Sequence, residues 1–314
     1  MDDPIEIYTS TGKKLLRHPE VIDKFKTHGI ATPISISIAP TSRCNLKCVF
    51  CSNVNRNYNE YLEFDDVYCL INNLIPKGLK TVEITGGGEP TLYPWINDVI
   101  EYIAKCGLKQ GLITNGILLK ERITQENLDR LSWVRISMNC LDYMSSIDIP
   151  DIKGTLGFSY VINEKTESLR LQGLYNHVKK YNPKYVRIVP NCQSTAEEQE
   201  GNNREYGDMV ERWGHPYFYQ AKHFSSPERC WWGFFKPFVL HDGWTYPCSS
   251  VVLNDDADRK FHEKYRWVKI DKLHMAYESH AIPFNPKSCN SCVFANQNNI
   301  IDSLANPNEM EDFI

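Results

Sequence analysis

The chain has 314 residues, of which 42% are hydrophobic, so it is long enough for one large α/β domain and a smaller one. Its 39 acidic and 35 basic residues are mixed along the chain and leave a net charge of -4, which disfavours duplex nucleic acid as a partner without excluding it. The acidic start is unlike a signal peptide and no long apolar run predicts a membrane span, so we expect a cytoplasmic protein.

Eleven cysteines are present, and in the cytoplasm they favour metal or cluster binding over disulfides. The first 32 residues contain a predicted helix from His18 to Thr27 and form an N-terminal lead-in. Residues 33–39 then alternate apolar and small polar side chains, which predicts a strand.

That strand delivers Cys44, Cys48 and Cys51, three thiols within eight residues. A four-ligand zinc site would need a second ligand pair close by in the sequence, and none follows for a long way. Three thiolates can instead bind three irons of a 4Fe-4S cluster and leave the fourth iron open for a chelating ligand.

The pattern Cys-x3-Cys-x-aromatic-Cys, with Phe50 as the aromatic residue, resembles the signature of the radical S-adenosylmethionine (SAM) superfamily. This resemblance implies that the open iron binds the amino and carboxylate groups of SAM, and that Phe50 belongs to the cofactor-binding loop.

A helix over residues 67–75, with Asp65 as its N-cap, and a strand over residues 80–85 lead into a glycine turn, Gly86-Gly87-Gly88, followed by Glu89. A phosphate-binding loop or a plain strand-to-helix turn is the alternative, but the dinucleotide fingerprint is missing and Pro90 lacks an amide proton. The segment resembles the superfamily motif that binds the amino group of SAM, which assigns Gly86, Gly87, Gly88 and Glu89 to cofactor binding.

Four further strands are predicted between helices. They cover residues 110–114, 133–138, 157–162 and 185–190. The six strands predict an incompletely closed (β/α)6 barrel, similar to a TIM barrel, over residues 33–222. By the resemblance, Ser137 and Asn139 would meet the ribose or carboxylate of SAM, and Arg187 its carboxylate.

A capping box over Ser194 to Glu197 predicts one more helix, which runs toward Trp213. Residues 223–314 then contain a predicted hairpin around Asp242-Gly243 and the four C-terminal cysteines, Cys230, Cys248, Cys289 and Cys292. Their spacing is compatible with zinc. It also resembles the Twitch form of the SPASM/Twitch extension, which implies a small C-terminal domain with one auxiliary 4Fe-4S cluster.

Of the remaining cysteines, Cys69 and Cys106 fall in predicted helices and are expected to pack there. Cys140 and Cys192 follow predicted strands and should lie at the barrel mouth. A thiol such as Cys192 could return a hydrogen atom to a substrate radical; the alternative is a thiol without a catalytic role.

The resemblance implies an enzyme with SAM and two 4Fe-4S clusters, one SAM-binding and one auxiliary. It would cleave SAM reductively to a 5′-deoxyadenosyl radical that abstracts hydrogen from a substrate carbon, with flavodoxin or ferredoxin as electron donor. An auxiliary cluster without an open iron favours the net oxidation of a small polar metabolite. The alternatives are modification of a peptide, protein or nucleotide, and, from another class, a non-catalytic zinc-binding module.

Overall fold

Parallel strands form the centre of the fold. The computed structural model of this protein describes residues 3–29, 32–53, 59–222, 225–251, 263–278, 289 and 292–306. Within these residues one nine-stranded sheet runs in the order β7-β6-β5-β4-β3-β2-β1-β8-β9. The strands are β1 Ser35–Ala39, β2 Thr81–Ile84, β3 Lys109–Thr114, β4 Trp133–Ser137, β5 Thr155–Val161, β6 Tyr185–Val189, β7 Tyr217–Tyr219, β8 Phe238–Leu240 and β9 Thr245–Tyr246.

The six predicted strands correspond to β1 to β6, which pair in parallel and in chain order. Three more strands extend this sheet: β7 pairs in parallel with β6, β8 in parallel with β1, and β9 antiparallel with β8. The predicted hairpin is therefore confirmed, with Gly243 at φ +77° in its turn, and it continues the barrel sheet. Since β7 and β9 are the two edges, the sheet is open, as an incomplete barrel predicts.

Helices separate the strands and cover the outside of the sheet. They are α1 Pro4–Tyr8, α2 Pro19–His28, α3 Phe64–Leu74, α4 Ile96–Lys105, α5 Leu119–Arg122, α6 Gln125–Asp129, α7 Ser168–Tyr181, α8 Ala196–Trp213, α9 Trp232–Phe235, α10 Leu273–Ala276 and α11 Ala295–Ala305. In α4 the apolar side chains of Ile96, Val99, Ile100 and Ile103 recur at helical spacing and are all buried. Each such burial contributes about 1.5–3 kcal/mol to stability.

Two helix starts differ from their predicted positions. The N-cap of α3 is Glu63, and Asp65 lies within the first turn, where a negative charge favours the helix dipole. The capping box of α8 consists of Thr195 and Glu198, one residue later than predicted, because the Thr195 side chain bonds the Glu198 amide and the Glu198 side chain bonds the Thr195 amide.

The N-terminal lead-in packs under the barrel. Tyr8 stacks on Tyr185 of β6 with ring centroids 4.2 Å apart, and its carbonyl accepts a hydrogen bond of 2.6 Å from Arg135 of β4. The Ser10 hydroxyl accepts a bond of 2.9 Å from Lys236. Residues before β1 thus close the amino-terminal end of the barrel, the end opposite the loops that carry the motifs.

No helix among the described residues is long and apolar enough to cross a membrane.

Candidate active site

The cysteine loop, residues 44–51, begins just beyond the carboxyl end of β1. Its three thiols are partly buried. Neighbouring loops hold its backbone: the Val49 amide donates to the Tyr143 hydroxyl at 2.9 Å, and the Asn45 side chain accepts from Asn115 at 2.7 Å. This edge of the sheet is where parallel α/β barrels place their active sites.

The thiols of this loop affect one another electrostatically. Burial raises the pKa of Cys44 to about 11, and nearby Glu89 and Cys51 add to this effect. Burial also raises the pKa of Cys48 to about 12, with Cys51 and Cys44 contributing. The loop therefore brings three thiols near enough for their charges to interact, and three thiols are a donor set suited to the irons of a cluster. Phe50, in the same loop, is partly buried.

The glycine turn, Gly86–Gly88, packs directly on the cysteine loop. The amide that follows it, Glu89 N–H, donates to the Arg43 carbonyl at 2.7 Å. A Cβ at Gly88 would lie 2.2 Å from the Arg43 carbonyl oxygen, and a Cβ at Gly86 would lie 2.6 Å from the Gly88 oxygen. These close approaches exclude a side chain at either position and explain two of the glycines. At Gly87 an added Cβ would lie 3.2 Å from the side chain of Leu240 in β8, which is a milder crowding.

The Glu89 carboxylate lies inside the fold. It is 3% exposed and accepts hydrogen bonds from the Thr91 amide and hydroxyl, the Thr114 hydroxyl and the Asn115 amide, at 2.6–3.0 Å. Burial raises its pKa, and the donors from Asn115 and Thr114 oppose that shift. Its side chain thus joins the end of β2 to the end of β3, while its backbone remains beside the cysteine loop.

Asn139 has a similar internal role. Its side chain is 1% exposed and bonds the Val161 amide at 2.7 Å, the Val161 carbonyl at 2.9 Å and the Asp142 carboxylate at 3.0 Å. These bonds connect the turn after β4 to the end of β5. Ser137, at the end of β4, is partly exposed and is the more accessible of these two predicted SAM contacts.

Cys192 lies beside the cysteine loop. Its Sγ is 3.7 Å from the hydroxyl of Ser52, the residue after Cys51, and its side chain is exposed. Cys140, in contrast, is buried, and burial raises its pKa to about 12. The structure therefore brings only one of the two thiols predicted at the barrel mouth to an accessible position there.

The four C-terminal cysteines line one small cavity together with Trp232, Tyr265 and Phe294. Burial raises the pKa of Cys230 well above that of an ordinary thiol, and the other three thiols reinforce this. Across the described residues no group of three cysteine, histidine or carboxylate side chains stands close enough to bind a single metal ion. The case for a metal-sulfur group here therefore rests on the four-thiol donor set around one cavity.

Charged residues that the sequence patterns did not single out lie inside the barrel. They are Glu83 of β2, Arg135 of β4, Lys222 after β7 and Lys236 before β8. Glu83 pairs with Lys236 at 3.2 Å; burial by itself would raise the pKa of Glu83, but Lys236 and Arg135 lower it. For Glu83 and Arg135 the available signal was the alternation within β2 and β4, where each stands between buried apolar residues.

Residues 38–143 match the Radical SAM superfamily. A probable GTP 3′,8-cyclase of Methanococcus maripaludis is 32% identical over 114 residues, which cover 34% of this chain and 37% of that protein. An S-adenosylmethionine-dependent nucleotide dehydratase of Lacinutrix mariniflava is 25% identical over 130 residues, 40% of this chain and 27% of that protein. The GTP 3′,8-cyclase of Synechocystis is 30% identical over 185 residues, 57% of this chain and 50% of that protein. The chain thus spans half or less of the length of these relatives.

Two solved structures share the fold. Streptococcus suis SuiB bound to the precursor peptide SuiA has a TM-score of 0.56 and 15% identity, covering 83% of this chain and 71% of that one. Native anSMEcpe with bound AdoMet and Cp18Cys peptide has a TM-score of 0.53 and 17% identity, covering 90% of this chain and 86% of that one. The motif loops and the open barrel agree with the family match, so residues 38–143 of this chain form a domain that is similar to the radical SAM superfamily.

Proposed function

We propose that Cys44, Cys48 and Cys51 bind a 4Fe-4S cluster whose open iron binds SAM. When bound, this cluster and SAM supply a one-electron cleavage that yields a 5′-deoxyadenosyl radical for hydrogen abstraction. The observation that carries the proposal is the contact between the two motif loops, since the glycine turn lies on the cysteine loop at the carboxyl edge of the sheet. A reduced flavodoxin or ferredoxin would provide the electron.

The chain's own residues position and protect this chemistry. The three thiols bind the irons, and the Tyr143 hydroxyl fixes the loop that carries them. The glycine turn leaves its backbone free of Cβ atoms beside the methionine end of SAM, with Phe50, Ser137 and Arg187 as further proposed contacts. The barrel wall keeps water from the reactive carbon and holds the substrate near it.

We further propose that the C-terminal cysteines bind an auxiliary 4Fe-4S cluster. Supporting this, the four thiols line one cavity among aromatic side chains. A cluster with four protein ligands has no open iron for SAM, so it would accept or relay the electron that a substrate radical leaves behind. This favours net oxidation of a small polar metabolite. The competing occupant is zinc, which the same donor set would bind.

A nucleotide is the second candidate substrate. All three relatives described above are named for reactions on nucleotides. Their likeness covers 34%, 40% and 57% of this chain. The family match over residues 38–143 includes the cysteine loop and the glycine turn, so the likeness bears on the radical chemistry more directly than on the substrate.

Iron and sulfide counting after anaerobic purification tests both cluster proposals. The parent should contain about eight irons per chain, and Cys48→Ala or Cys248→Ala about four, because each variant removes one cluster. Cys69→Ala is the matched control, since Cys69 is an exposed thiol on α3, and it should retain about eight irons. Zinc without iron in the parent would refute the proposed function, and zinc confined to the C-terminal site would refute the auxiliary cluster.

The fate of the electron is tested separately, with a turned-over substrate in heavy water. Oxidation gives a product without new solvent deuterium on carbon, and it should persist in Cys192→Ala. Solvent deuterium at a carbon of a product at the same oxidation level, lost in Cys192→Ala, would show instead that Cys192 returns a hydrogen atom.

A further inference from the structure

Among the residues that the structure describes, the inside of the barrel contains more cations than anions. Arg135, Arg187 and Lys222 lie there, and the described carboxylate that faces them, Glu83, already pairs with Lys236 at 3.2 Å. Arg135 is also satisfied, because it donates to the Tyr185 hydroxyl at 2.9 Å and to the Tyr8 carbonyl at 2.6 Å. The remaining two cations, Arg187 and Lys222, are the unusual ones.

Arg187 and Lys222 are poorly matched by acceptors. The Nε of Arg187 donates to Gln220 at 2.5 Å, and no other side chain among the described residues accepts from its guanidinium. Lys222 is held through its backbone carbonyl, which accepts from Asn203 at 3.1 Å, while its ammonium group forms no ion pair with any described carboxylate. Two cations that share an interior, where the described carboxylate facing them is already paired with Lys236, are a costly arrangement.

The pKa values of Arg187 and Lys222 reflect this shortage of acceptors. Burial, together with Arg187 and Arg135, lowers the pKa of Lys222 to about 7, and only the Cys192 thiol acts in the opposite direction. Burial and Arg135 lower the pKa of Arg187 to about 9. An anion placed between them would bond the free guanidinium nitrogens and the ammonium group and would restore the full charge of Lys222.

Their position points toward the reacting end of the barrel. Arg187 is on β6, Lys222 lies three residues beyond β7, and Lys222 is close enough to Cys192 for their charges to interact. Cys192 in turn lies 3.7 Å from Ser52, next to the cysteine loop. A molecule held by the two cations would therefore extend toward the site where hydrogen abstraction is proposed.

We propose that Arg187 and Lys222 bind an anionic group of the substrate, a phosphate or a carboxylate, inside the barrel. The proposal depends on the proposed function in one respect, because it assigns the anion to the molecule that reacts. The carboxylate of SAM is the competing source, since Arg187 is also a proposed SAM contact. The amino and carboxylate groups of SAM are, however, expected on the open iron at the cysteine loop, which leaves Lys222 without a partner.

Anaerobic calorimetric titration of the reconstituted holoenzyme with inorganic phosphate, and separately with succinate, tests the site. At least one of these anions should bind the parent in the millimolar range. Lys222→Met and Arg187→Gln should weaken that binding by at least about tenfold, because each removes a charge-assisted contact. Lys184→Met is the matched control, since Lys184 is an exposed lysine outside the barrel interior, and it should bind like the parent. Tighter binding of phosphate indicates a phosphorylated substrate, and tighter binding of succinate a carboxylate.

Titration with SAM separates the two sources of the anion. The proposal requires that Lys222→Met lose anion affinity while its SAM affinity stays close to that of the parent. A matching loss of SAM affinity would overturn it, as would equal anion binding by Lys222→Met and the parent, or no binding of either anion to the parent. Cleavage of SAM by the parent is measured in the same preparation: its absence with anion binding intact would refute the proposed function and leave the anion site standing.

Discussion

Gly88 connects the two loops that define the candidate site. Its Cα lies so close to the Arg43 carbonyl that a methyl group would stand 2.2 Å from that oxygen, well inside contact distance. The neighbouring amide of Glu89 bonds the same carbonyl at 2.7 Å. At the scale of single residues, the glycine turn therefore serves the assembly of the site as much as the approach of a ligand.

We expect Gly88→Ala to separate these loops. The added methyl group must displace the Arg43 backbone, so the variant should lose most of its SAM affinity and bind less iron at the cysteine loop. Gly201→Ala is the control, because no atom lies within 4 Å of its Cβ position and it is in helix α8, where alanine should stabilise by about 0.5–1 kcal/mol. SAM titration checks the pair, and equal affinities would contradict the assigned packing.

The pKa of Lys222 has a consequence for stability. An unfolded lysine titrates near a pKa of about 10.4, whereas burial and Arg187 lower the pKa of folded Lys222 to about 7. Between these two values the unfolded chain binds the extra proton, so this residue makes the free energy of unfolding rise with pH. Below about pH 7 both states are protonated, and the folded protein carries the full cost of the buried charge.

Lys222→Met should therefore remove this pH dependence. Without added anion, its melting temperature should exceed that of the parent most at pH 6 and least at pH 9 (about one pH unit below and two above the lowered value). Lys184→Met, which changes an exposed lysine, should follow the parent at every pH. A constant difference between Lys222→Met and the parent across the series would show that Lys222 keeps an ordinary pKa.

At the scale of elements, the start of α8 is set by a reciprocal pair. The Thr195 hydroxyl accepts from the Glu198 amide at 3.2 Å, and the Glu198 carboxylate accepts from the Thr195 amide at 2.9 Å. The sequence contains two overlapping candidates for this capping box, beginning at Ser194 or at Thr195, and only the backbone conformation distinguishes them. The choice matters because α8 packs against β7 just before Lys222.

We expect Thr195→Ala to destabilise the protein by about 1 kcal/mol, since it removes an N-cap. Ser194→Ala should have little effect, because its hydroxyl is not the cap of the helix. Urea unfolding of the two variants compares these positions directly. A larger loss for Ser194→Ala would place the helix start one residue earlier, at the position that the sequence pattern predicts.

For the molecule as a whole, the segment before β1 packs against residues near the C-terminus. Phe25 of α2 packs edge-on against Trp231 and Phe235, with ring centroids 5.1 and 5.4 Å away. Gln297 of α11 donates to the Ser10 carbonyl at 3.1 Å. The cysteines after residue 222 therefore belong to a segment that is anchored on the barrel and on the N-terminal helices.

Phe25→Ala should destabilise the protein by about 3–5 kcal/mol, because it leaves a cavity beside the rings of Trp231 and Phe235. Leu16→Ala is the control, since Leu16 is 57% exposed, and it should change the free energy of unfolding by less than about 0.5 kcal/mol. Chemical unfolding followed by tryptophan fluorescence measures both. A small loss for Phe25→Ala would show that α2 is not part of the cooperative core.

Much of the fold could be predicted because its signals are local. The alternation in β4 and β6, the helical spacing in α4 and the turn at Gly243 each involve neighbouring residues, and all were confirmed. The short strand β7 has three residues, too few for a pattern, and the pairing of β8 with β1 depends on the order of strands in the sheet. These features were therefore not predicted.

The first proposed donor set could be recognised from local spacing alone. Three thiols within eight residues stay together in any fold, and they identified the radical SAM resemblance. The roles of the other polar residues depend on contacts between distant parts of the chain. The tertiary structure buries the carboxylate of Glu89 against Thr114 and Asn115, and it brings Lys222 near Arg187 and Cys192, which lie on and just after β6. Which hydrogen bond or ion pair a polar group forms depends on the donors, acceptors and charges that the fold places beside it. Strand order, and not local spacing, decides which groups these are.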